Sequence, residues 1–292
     1  MDFGQKYEKL RSFITEKGKD GVVIAFSGGV DSSTLAAICH EILGGKAVAV
    51  TAVSPLYPKE EVEEAKKVAK EIGIKHILLE TNELLNEDFA GNPENRCYYC
   101  KKELLKSLKS LAEELGFKAV FEGTNYSDLD GHRPGFKAVK EMENVYSPWA
   151  ENGFTKEEIR TVARRIGLSV SDKPPLACLA SRIPFGEKIT LEKLTKIGKA
   201  ESIIRKIIEV KQLRVRDHNG LARIEVGKDE RQIFFNTKIM DIIAEELRRL
   251  GFKYVTLDLE GYKSGSMLLM LETAKHHGED HQNLTKNPLK NQ

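Results

Sequence analysis

Apolar and polar positions along the chain follow two periods in turn. Residues 21–26, Gly21-Val22-Val23-Ile24-Ala25-Phe26, form a short unbroken apolar run, the pattern of a strand buried on both faces. Residues 31–44 then have helical length and apolar spacing, and a charged amphipathic helix over 5–18 precedes the strand. Residues 47–53 and 75–80 predict a second and a third strand, with a Glu- and Lys-rich helix from Pro58 to about Ile72 between them. Residues 88–97 read as a loop, 98–115 as a helix and 118–125 as a fourth strand. A polar loop over 126–135 carries Asp128, Asp130, His132 and Arg133. Ser147-Pro148-Trp149-Ala150 breaks the pattern before a helix over 156–166. Strands alternating with helices predict a parallel sheet covered on both faces, which binds ligands at the carboxyl ends of its strands.

After residue 184 the pattern changes. A helix over 191–209 leads to alternating strands over 212–217 and 221–226, joined through His218-Asn219-Gly220, a hairpin signal. A helix over 236–250 and a strand over 253–260 complete an αββαβ unit. The expected fold class is α/β: a parallel-sheet domain over 1–184, then a small α+β domain over 185–272. Residues 273–292 are polar and read as a disordered tail, whose paired His residues also suit a metal.

Between the first strand and its helix lies Phe26-Ser27-Gly28-Gly29-Val30-Asp31-Ser32-Ser33. The glycine pair lets backbone approach a bound group, and serine hydroxyls beside a helix start suit an anion. An ordinary turn capped by Asp31 or Ser32 would read similarly. No Gly-Lys-Ser/Thr follows, so this is not a Walker loop. Gly123-Thr124-Asn125 ends the fourth strand and is a second candidate contact, with a plain turn as the alternative.

Composition narrows the function classes. The chain has 292 residues, a net charge of +2 and 31% charged residues. That is the profile of a globular protein of about two domains, and it gives no reason to expect a large nucleic-acid surface. No apolar run has membrane-spanning length and the N-terminus lacks a signal-peptide core, so a cytoplasmic protein without membrane partners is expected. Four cysteines in a chain this long suggest metal or sulfur chemistry, or inert burial, rather than a disulfide framework. Cys39, among apolar neighbours, reads as a buried hydrophobe. Cys97 and Cys100 share one helix face, where the helix start with Arg96, Lys101 and Lys102 would favour thiolates. A redox dithiol or half a zinc site fits the same pair. Cys178 stands in a proline-flanked loop, and three thiolates suit an iron–sulfur cluster with one iron left open.

The string Ser-Gly-Gly-Val-Asp-Ser-Ser at 27–33 resembles the PP-loop of the ATP pyrophosphatases, whose fold is adenine nucleotide alpha hydrolase-like. Asn-Pro-Glu-Asn-Arg-Cys-Tyr-Tyr-Cys-Lys at 92–101, Glu-Gly-Thr-Asn at 122–125 and Arg-Pro-Gly at 133–135 make the likeness specific. So do Ala-Cys-Leu-Ala-Ser-Arg-Ile-Pro at 177–184, Leu-Arg-Val-Arg at 213–216, Ala-Arg-Ile-Glu-Val at 222–226 and Leu-Asp-Leu-Glu-Gly-Tyr at 257–262. Over roughly 10–270 the chain is similar to the LarE family.

The resemblance implies an ATP-dependent sulfurtransferase that adenylylates the carboxylates of pyridinium-3,5-biscarboxylic acid mononucleotide. They become thiocarboxylates for the nickel-pincer nucleotide cofactor. It implies ATP contacts from Ser27, Gly28, Gly29, Val30, Asp31, Ser32, Ser33, Gly123, Thr124, Asn125, Lys101 and Arg133, with Mg²⁺. Substrate contacts fall to Tyr99, Ser181, Arg182, Arg214 and Arg216. Arg214 and Arg216, two apart on a strand, share a face and suit a phosphate. Glu225 would help hold a divalent metal. Two sulfur routes exist in the family: a sacrificial cysteine at the 178 position, which becomes dehydroalanine, or a 4Fe-4S cluster on three cysteines. Cys97, Cys100 and Cys178 favour the cluster. The expected partners are the mononucleotide, an external sulfide or sulfur donor, and further copies of the chain. A tRNA thiolase and a non-catalytic nucleotide sensor are the alternatives.

Overall fold

The structure, a computed structural model, describes residues 2–130, 134–174, 177–263 and 265–268. Arg133 and the tail from residue 273, on which two expectations fell, lie outside them. The chain divides into two compact units, Met1–Cys178 and Leu179–Gln292, an earlier division than the 184/185 boundary read from the sequence. The 3₁₀ turn Leu179–Arg182 falls to the second unit because Arg182 pairs there with Glu201.

The first unit opens with helix α1 (Phe3–Gly18), whose start is capped by Asp2 accepting from Gln5 N at 3.0 Å. Then follow β1 (Val22–Ala25), α2 (Val30–Leu43), β2 (Ala47–Val53), α3 (Lys59–Ile72) and β3 (Lys75–Glu80). The short α4 (Glu87–Ala90), α5 (Arg96–Glu114), β4 (Ala119–Phe121), α6 (Pro134–Lys140), β5 (Val145–Tyr146), α7 (Pro148–Glu151) and α8 (Lys156–Arg165) complete it. The five strands are parallel, in the order β3-β2-β1-β4-β5.

Strand alternation sends Val22 and Ile24 to one core, with Leu35, Ile38 and Cys39 of α2, and Val23 to the other, with Leu105 and Leu108 of α5. Both faces are therefore covered, as the unbroken apolar runs require. Cys39 is fully buried in the first core, and burial pushes its thiol well up.

Some elements differ from the sequence reading. The fourth strand stops at Phe121, because Thr124 N and its hydroxyl turn back onto the Glu122 carboxylate. Inside the expected loop, Asn86 caps the one-turn α4. The two-residue β5 is too short to carry a period.

The second unit contains α9 (Leu191–Ile207), β6 (Leu213–His218), β7 (Leu221–Val226), α10 (Thr237–Arg249) and β8 (Tyr254–Leu257). β6 and β7 are antiparallel, while β8 runs parallel to β7. Asn219 and Gly220 both have positive φ, 50° and 92°, as a two-residue hairpin turn of type I′ demands. Ile204 of α9 and Ile243 and Leu247 of α10 cover one face of this sheet. No helix among the described residues is long and apolar enough to cross a membrane.

Candidate active site

Strand order fixes where the site lies. From β1 the chain steps to β2 on one side and later returns to β4 on the other, so the carboxyl end of β1 is a topological switch point. The phosphate loop occupies that end. Gly28 has φ +67°, and a Cβ there would stand 2.8 Å from Ala65 Cα of α3, so the position requires glycine. Ser32 Oγ accepts from Ser27 N at 3.1 Å and donates to Gly29 O at 3.2 Å. Ser27 Oγ shares a hydrogen bond with it at 3.1 Å and accepts from Gly29 N at 3.3 Å. These bonds fold the loop over the start of α2, where Gly29, the N-cap residue, supplies no side-chain cap, leaving first-turn N–H groups for an anion. Ser33 follows in the first turn of α2. Its hydroxyl is wholly buried, without a hydrogen-bond partner among the described residues.

Gly123, at the end of β4, lies where a Cβ would come within 3.3 Å of Ser32 N and 3.4 Å of Asp31 Cβ. Asn125 Nδ2 donates to Asp31 Oδ1 at 3.5 Å, and Trp149 Nε1 donates to Asp31 O at 3.0 Å. Lys156, which sequence reasoning missed, ion-pairs with Asp31 Oδ2. Burial pushes the Asp31 carboxyl up, and Lys156 opposes it without winning. Lys101, expected at ATP, donates to the buried Glu122 Oε2 at 2.7 Å. Burial pushes the Glu122 carboxyl up, but Lys101, Ser147 and Thr124 outweigh it, and the net direction is down. Nothing in a sequence pattern distinguishes Lys156 from an ordinary polar residue at an element end, whereas Glu122 opens the Glu-Gly-Thr-Asn string with no role expected of it there.

Cys97 and Cys178 act on Cys100 through their charge. Burial first, then Cys178, Glu83 and Cys97, push the Cys100 thiol well up, with Lys101 only partly opposing. Tyr57, after β2, is pushed up by burial and then by Cys178, Cys100, Glu83 and Cys97. Glu83, after β3, is buried and accepts from Ser54 Oγ at 2.5 Å and Thr81 Oγ1 at 2.9 Å. The expectation that cations would favour thiolates here is corrected for Cys100. Arg96 Nη1 donates to Asn92 Oδ1 at 2.7 Å, Lys101 turns to Glu122, and Lys102 Nζ donates to Tyr98 Oη at 2.9 Å. Tyr99 is half-buried and packs edge-on against Tyr98, ring centroids 5.4 Å apart. No described group of three or more His, Cys, Asp or Glu side chains forms a single-ion site.

Ser181, Arg182, Arg214, Arg216 and Glu225 belong to the second unit, where three guanidinium groups are buried together. Arg182 donates to both Glu201 oxygens, at 2.9 and 3.1 Å. Arg216 Nη2 donates to Glu225 Oε2 at 2.7 Å and its Nη1 to Ser181 O at 2.9 Å, while its buried Nε has no hydrogen-bond partner among the described residues. Arg214 Nη1 donates to Leu213 O at 2.7 Å, and its guanidinium sits 5.3 Å from the Tyr262 ring centroid. Burial, then Arg182, push Arg214 down to about 10. Glu225 is fully buried, with Arg223 3.2 Å from Oε1 and Ser266 donating to the same oxygen at 3.2 Å. Its carboxylate is thus engaged by two arginines.

Comparison with known proteins agrees with this architecture. The family profile described as NAD synthase matches residues 4–98, the segment that includes the phosphate loop. An uncharacterized protein of Synechocystis is 45% identical over 262 residues, 90% of this chain and 96% of that protein. The pyridinium-3,5-bisthiocarboxylic acid mononucleotide synthase of Lactiplantibacillus plantarum is 35% identical over 248 residues, 84% of this chain and 88% of that enzyme. The chain belongs to the LarE family. As a LarE protein it is an ATP-dependent sulfurtransferase built on a PP-loop α/β domain with a small mixed-sheet domain. An uncharacterized Methanocaldococcus jannaschii protein, 32% identical over 265 residues, covers 90% of this chain and 100% of its own length.

Proposed function

We propose that this LarE protein converts the carboxylates of pyridinium-3,5-biscarboxylic acid mononucleotide into thiocarboxylates, with sulfide carried on an iron–sulfur cluster. The support for the reading is a phosphate loop at the carboxyl end of β1, together with three cysteines whose charges all act on Tyr57, which follows β2 of the same sheet. A carboxylate alone is a poor acyl donor, since its leaving group would be oxide. A substrate carboxylate oxygen attacks the α-phosphorus of ATP, the bond from that phosphorus to the oxygen bridging to the β-phosphate breaks, and pyrophosphate leaves, its charge one that a bound Mg²⁺ would help neutralise. The first-turn N–H groups of α2 and the Ser27 and Ser32 hydroxyls take up the charge developing on pyrophosphate. Sulfide then attacks the acyl carbon, the bond to AMP breaks, and a thiocarboxylate remains. A second round treats the other carboxylate.

Cys97, Cys100 and Cys178 would hold the cluster. The donor set fits: three neighbouring thiols suit separate irons of an extended cluster, which does not need them gathered around a single ion. Bound there, the cluster would supply an iron free of protein thiolate to carry an exchangeable sulfide. Arg214 and Arg216, with Ser181 and Arg182, would hold the substrate phosphate, and Tyr99 would stack on the pyridinium ring.

The test is iron and labile-sulfide analysis of anaerobically purified protein, paired with a thiolation assay read by mass spectrometry. The expected result is about four irons per chain, lost in Cys178→Ala together with thiolation. Iron-free protein that thiolates the nucleotide while Cys178 becomes dehydroalanine would replace the cluster with the sacrificial route. A thiolated tRNA in place of the thiolated nucleotide would overturn the substrate.

A further inference from the structure

Lys173 is a cation at the phosphate loop for which neither the motif nor the sulfur chemistry accounts. Its side chain is only 15% exposed. Its Nζ reaches Gly28 O at 3.5 Å, Glu61 Oε2 at 3.2 Å and Glu64 Oε2 at 2.5 Å. The backbone of its segment is fixed to α8, with Arg160 donating to Ser171 O and, at 3.0 Å, to Lys173 O. The loop in turn rests directly on α3, through the contact of Gly28 with Ala65. One ammonium therefore stands between a phosphate-loop carbonyl and two carboxylates on the first turns of α3.

Those carboxylates are displaceable partners. The Glu64 side chain is 54% exposed and the Glu61 side chain 26%, so water screens both. A triphosphate on the loop carries more charge in a smaller volume, and ammonium-to-phosphate hydrogen bonds are charge-assisted. Lys156, the other lysine described at the loop, is engaged with Asp31.

We propose that Lys173 is a further ATP-contacting residue, which exchanges Glu61 and Glu64 for the β- and γ-phosphates and stays with pyrophosphate as it leaves. Glu61 and Glu64 then compete with the nucleotide for this lysine. The inference rests on the family's use of ATP and is independent of the sulfur acceptor and of the cluster, because its test needs neither.

The experiment measures equilibrium binding of α,β-methylene-ATP and of pyrophosphate, each with Mg²⁺, to the full-length chain by calorimetry. Lys173→Gln is expected to weaken both about tenfold, and Lys173→Arg to recover most of the loss. The double variant Glu61→Gln/Glu64→Gln is expected to bind both several-fold more tightly than wild type. Adding Lys173→Gln to that pair removes the gain, which is the coupling a mutant cycle reads. An ion pair that only props the loop on α3 gives a different pattern: the glutamate variant weakens binding as Lys173→Gln does. That pattern, or a glutamate gain that persists without Lys173, or wild-type binding by Lys173→Gln, overturns the proposal. If Lys173→Gln does not fold, the sign of the glutamate variant decides.

Discussion

Position 28 accepts no side chain, because a Cβ there would be both at positive φ and 2.8 Å from the α3 backbone. Gly28→Ala is expected to destabilise the protein by about 1–3 kcal/mol in chemical denaturation and to abolish ATP binding. Glu122 presents the opposite problem, a carboxylate 1% exposed that stays charged because Lys101 reaches it. Its pKa is lowered from the ordinary 4.5, so its stabilising contribution is present above about that pH and fades as pH falls through the lower folded value. Lys101→Met leaves the charge buried and is expected to cost about 3 kcal/mol near neutral pH. Urea titrations across pH should show the gap between variant and wild type narrowing as pH falls, because the unpaired carboxyl of the variant takes up its proton first, and closing only below the lowered folded value of wild type, where the carboxyl is neutral in both proteins. A gap constant with pH would mean that Lys101 acts through packing alone.

Among the elements, α8 shows how a local signal places a functional charge. Thr155 accepts from Glu158 N, and the Glu158 carboxylate takes Thr155 N at 2.8 Å, a capping box that begins the helix at Lys156. Lys156 is thereby held at the helix start, beside Asp31. Thr155→Ala is expected to cost about 1 kcal/mol, seen as a lower Tm, and to weaken ATP binding through the loosened Asp31 pair. The long strands were legible because each is an uninterrupted apolar or alternating run: β2 and β3 occupy 47–53 and 75–80, as read. β5 was not, since two residues such as Val145 and Tyr146 carry no period. The site was legible where its residues are contiguous, as in 27–33. It was illegible where one lysine from a distant segment completes it, as Lys156 at a helix start and Lys173 in a loop do, because a solvated lysine and a paired one look alike in sequence. The thiolate expectation at Cys100 failed for a related reason: sequence shows which cations are near but not which way they turn.

On the scale of the whole molecule, each unit buries charges of its own. The second unit holds Arg182, Arg214 and Arg216 buried together, and desolvation and mutual repulsion of the first two bring Arg214 down to about 10. An anion that shares this site relieves the repulsion, so inorganic phosphate should raise Tm, by about 1.4 kcal/mol of stabilisation at tenfold excess over its Kd. The effect should vanish in Arg216→Met. A rise of the same size in that variant would place the anion elsewhere.

The parallel sheet of the first unit has one more consequence. Neighbouring strands are held about 4.8 Å apart by their hydrogen-bond ladder, a spacing that side chains do not alter. The phosphate loop follows β1, while Tyr57 and Glu83 follow β2 and β3. The backbone is therefore a ruler. It sets how far apart these three loops leave the sheet, about one strand width for each step. Substitutions within the strands change what each loop carries, but not the spacing at which the loops start.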